Sequence, residues 1–414
     1  MATTAARPGI RRNLVYSTVL TCATYVFPLV VYPYVSRVLG VANVGLVGFI
    51  DSITTYFILF SMMGISLLGI RETAMTRGDS RRLSDTFWSL LALHAMMTLV
   101  MLAGMAVATA LVPQLRANAG LMCVGMCKLV FNLFLVEWLY KGLEDFRYIT
   151  LRTVGVRALY VAAVFLLVRS PGDTDTYYVL TMLVVVASAL VDMFRARRFV
   201  TMRCIRLRPW RYLGSFMSLG LYVLLGSAYT TLNVVILGFV AGDTEVGYYT
   251  TAVKIIFILS SSVTAMVSVF MPRMSQFAAE RHMDEFRRYF RRCCAGMLAV
   301  TVPLSAVVWV WAPEIVMLLS GPGYEGAVEP LRVMILFMPV SGIGQLLVLQ
   351  VLTPLGRDRS VLAATFAGAL TGVVLNSMLV PAMYSAGSAW VWSAGETVLC
   401  IAALLMARHS LRHC

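Results

Sequence analysis

Residues 13–36 read NLVYSTVLTCATYVFPLVVYPYVS, a run of 24 positions without a single charge. An α-helix rises about 1.5 Å per residue, so about 20 apolar residues suffice to cross the hydrocarbon core of a bilayer. This run can cross once. Arg7, Arg11 and Arg12 precede it as the basic flank of a signal peptide would, yet the apolar run continues past signal-peptide length and contains no small-residue cleavage site. It therefore reads as a first membrane span, not a removable leader.

Outward from this stretch, comparable uncharged runs recur at 52–70, 86–115, 212–242, 255–272, 293–313 and 333–356. The run 360–395 is too long for one helix, is interrupted by Pro381 and Gly387, and makes two spans with the tail to Ala407. Three weaker segments carry charges: 118–140 with Lys128 and Glu137, 152–168 with Arg152 and Arg157, and 176–194 with Asp192. Omitting any one of them would invert every later loop, so all three count and the total is twelve.

Composition agrees. Of 414 residues, 59% are hydrophobic and 13% charged, against about 45–50% and 25% in soluble domains. No hydrophilic stretch is long enough to fold as a separate soluble unit. The formal charge of +14 would suggest nucleic acid if the cations shared one soluble face. Instead, 27 of the 34 Lys and Arg fall in the segments on one side of the predicted spans, three (Arg37, Arg116, Arg169) fall on the other, and four (Lys128, Arg157, Lys254, Arg332) lie within spans. Lys and Arg favour short cytoplasmic loops. The expectation is a multi-pass protein of a bacterial cytoplasmic (inner) membrane with both termini cytoplasmic, and no nucleic-acid partner.

An internal repeat is visible. Val44-Gly45 follows the first span and Val246-Gly247 the seventh, at an offset of 202 residues, each after a short Gly-containing turn. Six spans per half is an even number, so both halves start on the same side. The expected fold is an all-α integral membrane protein of twelve transmembrane helices in two six-helix bundles, residues 1–202 and 203–414, related by a pseudo-two-fold axis along the membrane normal.

Charges inside spans cost about 2.5–3.5 kcal/mol each on insertion scales, so they normally face a protein interior or a wet cavity. Lys254, nested in an apolar helix, is the sharpest candidate, against snorkelling to the outer surface. Lys128 and Arg157 follow, as point charges for a phosphate or acidic sugar, against an internal ion pair. Arg37 closes the first span and Arg332 opens the tenth; both can be interfacial. Among acids, Asp51 and Glu396 are candidates for ion coupling, whereas Glu137 lies one turn before Lys141 and Asp192 just before Arg195, spacings that suggest local pairs. Pro28, Pro33, Pro303 and Pro339 interrupt helices and supply kinks.

Signatures of chemistry are missing: there is no Gly-rich Lys loop, HExxH or nucleophile elbow, and His94, His282, His409 and His413 are scattered. The eight Cys imply neither a disulfide framework nor a metal site; Cys123 and Cys127 share a helix face but have no His or carboxylate partner. No catalytic residue, metal or cofactor is expected.

Several segments are similar to a known family. Pro33-Tyr34-Val35-Ser36-Arg37-Val38-Leu39-Gly40, Gly69-Ile70-Arg71-Glu72 and Glu137-Trp138-Leu139-Tyr140-Lys141-Gly142-Leu143-Glu144 resemble the polysaccharide-transport flippases that export O-antigen and similar repeat units. So do Gly247-Tyr248-Tyr249, Ala252-Val253-Lys254-Ile255, Met271-Pro272-Arg273-Met274-Ser275, and the Gly321–Leu331 loop leading to Gln350–Arg357. The resemblance runs in order along nearly the whole chain, with Lys141 departing from the uncharged polar residue usual there. It implies the multidrug, oligosaccharidyl-lipid and polysaccharide exporter superfamily: two six-helix bundles forming a V, a central cationic cavity and alternating access. The implied substrate is an undecaprenyl-diphosphate-linked oligosaccharide (O-antigen, exopolysaccharide or capsule repeat unit), flipped from the cytoplasmic to the periplasmic leaflet. On that view Lys254, Arg157, Lys128, Arg37 and Arg332 would hold the anionic headgroup. Membrane lipid, a polysaccharide polymerase and a chain-length regulator would be neighbours. Alternatives are a cation-coupled multidrug exporter of the same superfamily, which would favour acidic cavity residues, and a membrane polysaccharide polymerase or ligase, which would need a larger outer loop.

Overall fold

The computed structural model describes residues 10–201, 206–227, 231–280 and 282–412. Arg7, Arg203, Cys204, Arg281, His413 and Cys414, counted above, lie outside the described residues. Every α-, 3-10 or π-element assigned is helical, and no strand occurs among the described residues. That is the outcome bilayer physics favours: with no water to satisfy backbone N–H and C=O groups, a helix satisfies its own.

Seven of the described helices are long and apolar enough to cross a membrane, and an eighth follows if the pair Glu325–Leu336 and Met338–Leu352, bent by 41°, counts as one span. The twelve uncharged or weakly charged runs map onto fewer continuous helices for two reasons. Ile10–Met62 joins two runs through a kink at Gly40, and Asp358–Arg412 joins two through Tyr384. The run 212–242 is described as two shorter pieces, Leu213–Ser227 and Thr231–Ala241.

The breaks differ from those proline placement suggests. Pro28, Pro33, Pro303 and Pro381 all remain inside helices. Proline deletes one hydrogen bond and crowds the previous turn, which bends a packed helix without ending it. The non-helical residues are Gly40 (φ 78°, ψ 168°) and Tyr384 (φ 49°, ψ −122°). Of the prolines singled out from sequence, Pro339 marks a boundary, at the start of Met338–Leu346.

The molecule is apolar outside as well as within. Leu111, Leu159, Phe194, Val269 and Leu318 are all more than two-thirds exposed, an apolar surface far beyond that of a soluble monomer and suited to lipid. The chain gathers into two compact units. The first comprises the segment ending at Val38 plus Ile53–Leu224; the second comprises Leu39–Ser52 plus the chain from Leu225 onward. In the first, Leu68, Phe87, Leu90, Trp138, Tyr140 and Phe216 form a packed core, and Gly69 lets Trp138 approach so closely that a Cβ would sit 2.5 Å from the indole. In the second, Met274, Phe286, Leu347, Val351 and Ala403 do so.

The 202-residue repeat has a backbone counterpart. Gly242 (φ 81°, ψ −177°) repeats the conformation of Gly40, a region open essentially to glycine alone. Five residues after each comes a glycine at a close crossing inside the second unit: a Cβ on Gly45 would lie 1.7 Å from the Asp243 carbonyl oxygen, and one on Gly247 would lie 2.4 Å from that of Val41. Residues 41 and 243 are themselves 202 apart, so the contact is reciprocal.

Candidate functional site

The first unit holds a charged, partly open chamber of about 370 Å³. Four helical segments line it, each through one face set by i, i+4 spacing. Leu20, Thr21, Thr24 and Tyr25 come from Ile10–Met62, Glu137 and Lys141 from Glu137–Gly142, Arg152, Thr153, Val156 and Arg157 from Phe146–Leu167, and Val184, Val185 and Ser188 from Thr174–Ala196.

Its charges form a chain. Lys141 Nζ lies 2.9 Å from Glu137 Oε1, the one-turn pair expected from the sequence. Glu137 Oε2 lies 2.9 Å from Arg152 Nη2, and Arg152 Nη1 lies 2.6 Å from Asp192 Oδ2. Tyr148 donates to Asp192 Oδ1 at 2.8 Å, and the Tyr140 hydroxyl donates to the Asp192 carbonyl oxygen. Asp192 and Arg152 are 0% and 4% exposed at their side chains. Charges so deeply placed persist only when paired and hydrogen-bonded, and losing one partner leaves the other uncompensated.

Arg157 differs. Its Nη1 donates to the Ala23 carbonyl oxygen at 3.2 Å, and among the described residues no carboxylate reaches it within ion-pair distance, although Glu137 and Arg152 both act on it electrostatically. Lys141, Arg152 and Arg157 against Glu137 and Asp192 leave one positive charge in excess. The chamber also carries the hydroxyls of Thr21, Thr24, Tyr25, Thr153 and Ser188. It can therefore offer an anion one uncommitted guanidinium and a polyhydroxylated group several hydrogen-bonding partners.

The other candidates lie elsewhere. Lys128 is buried with Nζ 4.8 Å from the Tyr178 ring centroid, a cation–π seat where sequence suggested an ion pair or a ligand site. Arg37 is exposed and donates to the Pro33 carbonyl oxygen at 3.2 Å. Arg332 donates to the Trp309 carbonyl oxygen at 3.1 Å and lies over the Trp309 ring. Glu396 is buried in Asp358–Arg412. Lys254 and Asp51, assigned separate roles from sequence, are brought into electrostatic range of one another within the second unit. The same unit holds a neutral cluster: Asn376 Nδ2 donates to Asn233 Oδ1 at 2.6 Å, and Asn233 Nδ2 donates to the Tyr249 hydroxyl and the Ser388 carbonyl oxygen, both at 3.2 Å.

One pairing is corrected. Asp192 is held by Arg152, forty positions away, not by Arg195, whose guanidinium pairs with Asp145. Arg152, read from sequence as a loop cation, is thus the ionic centre of the chamber. The available signal was that the three weak spans are weak because each carries charge, and charges of opposite sign in neighbouring spans can neutralise one another. Among the described residues, no group of three or more His, Cys, Asp or Glu is placed to hold a metal.

Comparison with known proteins places this geometry in context. A family model described as polysaccharide biosynthesis protein matches residues 10–278, and one described as MatE matches 219–378. A "Putative O-antigen transporter" of Escherichia coli (strain K12) is 23% identical over 332 residues, covering 78% of this chain and 79% of that one. A second protein so named, from Shigella dysenteriae, is 22% identical over 386 residues, covering 90% and 93%. Among solved structures, an inward-facing multidrug resistance MATE family transporter of the MOP superfamily superposes with TM-score 0.77 at 15% identity, covering 97% of this chain and 98% of that one. The lipid II flippase MurJ in an inward closed conformation gives TM-score 0.77 at 11% identity, covering 95% and 87%. At such identities the structural likeness shows the fold, an all-helical membrane transporter fold.

Proposed function

Because the chain belongs to the polysaccharide biosynthesis protein family, we propose that it flips an undecaprenyl-diphosphate-linked oligosaccharide, an O-antigen, exopolysaccharide or capsule repeat unit, from the cytoplasmic to the periplasmic leaflet. In this reading twelve spans form two six-helix bundles, residues 1–202 and 203–414, that alternate access across a bacterial inner membrane with both termini cytoplasmic. The names of the relatives support transport of this kind.

The observation that carries the reading is Arg157: a cation without an ion-pair partner among the described residues, in a chamber where the other two cations are already neutralised. A lipid-linked sugar has two needs. Its prenyl tail can stay in lipid, while its diphosphate and hydroxyls need a polar route. Arg157 answers the diphosphate, and the Thr, Tyr and Ser hydroxyls around it answer the sugar. The space suffices for about a dozen water volumes, enough for the diphosphate end with its first sugar. Lys128 and Arg37, in the same unit, are further candidates for headgroup contact, and within the second unit Lys254 and Arg332 are candidate anion contacts and Asp51 and Glu396 candidates for ion coupling.

The test is complementation. In a strain lacking its own copy, Arg157→Ala abolishes surface polysaccharide at unchanged membrane abundance, and Arg157→Lys, which keeps the charge but loses the planar fork, restores part of it. Full surface polysaccharide with Arg157→Ala would overturn the assignment. The match to the MatE model supports a second reading, cation-coupled drug export; it predicts drug sensitivity on deletion with surface polysaccharide unchanged.

A further inference from the structure

A second charged recess lies in the first unit, apart from the chamber. It is an open recess of about 500 Å³ between the segment 206–212 and the helices Ile65–Thr76 and Ser80–Leu111, lined by Arg82, Arg206, Arg208 and Arg211 beside Glu72 and Asp85. The segment has little regular structure, yet its backbone is fastened. The Arg206 N–H donates to Asp85 Oδ1 at 2.9 Å and the Arg208 N–H to Ser89 Oγ at 3.0 Å. Just ahead, the Thr201 N–H donates to Ser84 Oγ and the Trp88 indole N–H to the Thr201 carbonyl oxygen, both at 3.0 Å. Positions 84, 85, 88 and 89 share one helix face, so one strip of that helix presents four side chains that bind linker backbone.

This fastening places three arginines, with Arg82, on the lining of one recess. Glu72 is already engaged by Arg71 at 3.0 Å, and Arg82 by Asp79 at 3.2 Å. Arg206, Arg208 and Arg211 are exposed, and among the described residues no carboxylate lies within ion-pair distance of their guanidinium groups. Repulsion among fixed cations is relieved by an anion, and guanidinium groups suit phosphate oxygens geometrically. The apolar residues between them narrow the choice. Leu207 and Trp210 are 58% and 63% exposed, and a pattern of Arg with exposed Trp and Leu belongs at a membrane–water interface.

We propose that this recess binds a phosphate-bearing ligand, with Arg206, Arg208 and Arg211 on the phosphate oxygens and Leu207 and Trp210 in the interfacial layer beside it. The proposal does not depend on the transport reading. Asp85 tunes the site: its carboxylate positions the Arg206 backbone and also offsets part of the positive charge.

The test uses the full-length chain purified in neutral detergent, with short-chain phosphatidic acid, inorganic pyrophosphate and, as control, short-chain phosphatidylcholine as probes. The wild type is expected to bind a phosphate probe in preference to phosphatidylcholine. Combined Arg206→Gln, Arg208→Gln and Arg211→Gln weakens that binding at least tenfold. Asp85→Asn, which keeps an oxygen for the Arg206 N–H but removes the negative charge, strengthens it about threefold, a gain that misfolding cannot produce. Phosphatidic acid at least ten times tighter than pyrophosphate identifies a lipid headgroup as the source, and comparable affinities identify a soluble phosphate. Any pattern other than loss in the triple variant with gain in Asp85→Asn overturns the site.

Discussion

The polar interiors of the two units differ in kind. In the first, Glu137, Lys141, Arg152 and Asp192 form a chain of ion pairs around a chamber. In the second, Asn233, Asn376, Tyr249 and Ser388 form a neutral amide and hydroxyl cluster. Within the second unit the backbone repeats itself: Gly40 and Gly242 adopt one conformation, and Gly45 and Gly247 make reciprocal close approaches. One backbone conformation there carries different side chains at its two occurrences, and in both units it is the side chains that set whether a polar interior is ionic or neutral. Even Asp51 and Lys254 express this, since they stand six and seven residues after the paired glycines with opposite charge.

The contrast can be broken by removing one group at a time from purified protein and following thermal unfolding. The largest effect belongs to the ionic chain: Asp192→Ala takes from the buried Arg152 one of its two carboxylate partners, leaving Glu137, and costs about 3 kcal/mol, the lower end of what breaking a buried pair costs. In the neutral cluster, Asn233→Ala leaves buried polar groups unsatisfied without stranding a charge and costs about 1–3 kcal/mol. Equal losses at the two sites would erase the distinction. Smaller again, a double-mutant cycle with Asp51→Asn and Lys254→Met should give a favourable coupling of about 1 kcal/mol; zero coupling would mean the two charges act independently. Smallest of all, Arg157→Ala should shift stability by less than about 0.5 kcal/mol while transport is lost, because its recorded hydrogen bond is a single one to a backbone carbonyl.

What the sequence made legible follows from which interactions are local. Apolar runs long enough to span a bilayer, and the Glu137–Lys141 pair one turn apart, depend on spacing along a single helix, and both were readable. The partner of Asp192 was not, because helix spacing points to nearby Arg195 whereas the pairing crosses from one helix to another. Where helices end was not legible from proline for a related reason. Proline marks a missing hydrogen bond wherever it stands, but whether the helix ends there depends on the packing around it, and Pro28, Pro33, Pro303 and Pro381 are all carried through. Arg157 was legible as a charge within a predicted span; that it would be the unneutralised cation of its chamber required the positions of Glu137 and Asp192.

The paired backbone conformation at Gly40 and Gly242 carries a consequence for heredity. Both dihedral pairs lie where any side chain is strained, so saturation mutagenesis of the gene should expose two codons, 202 apart, at which selection for function retains glycine and discards the alternatives.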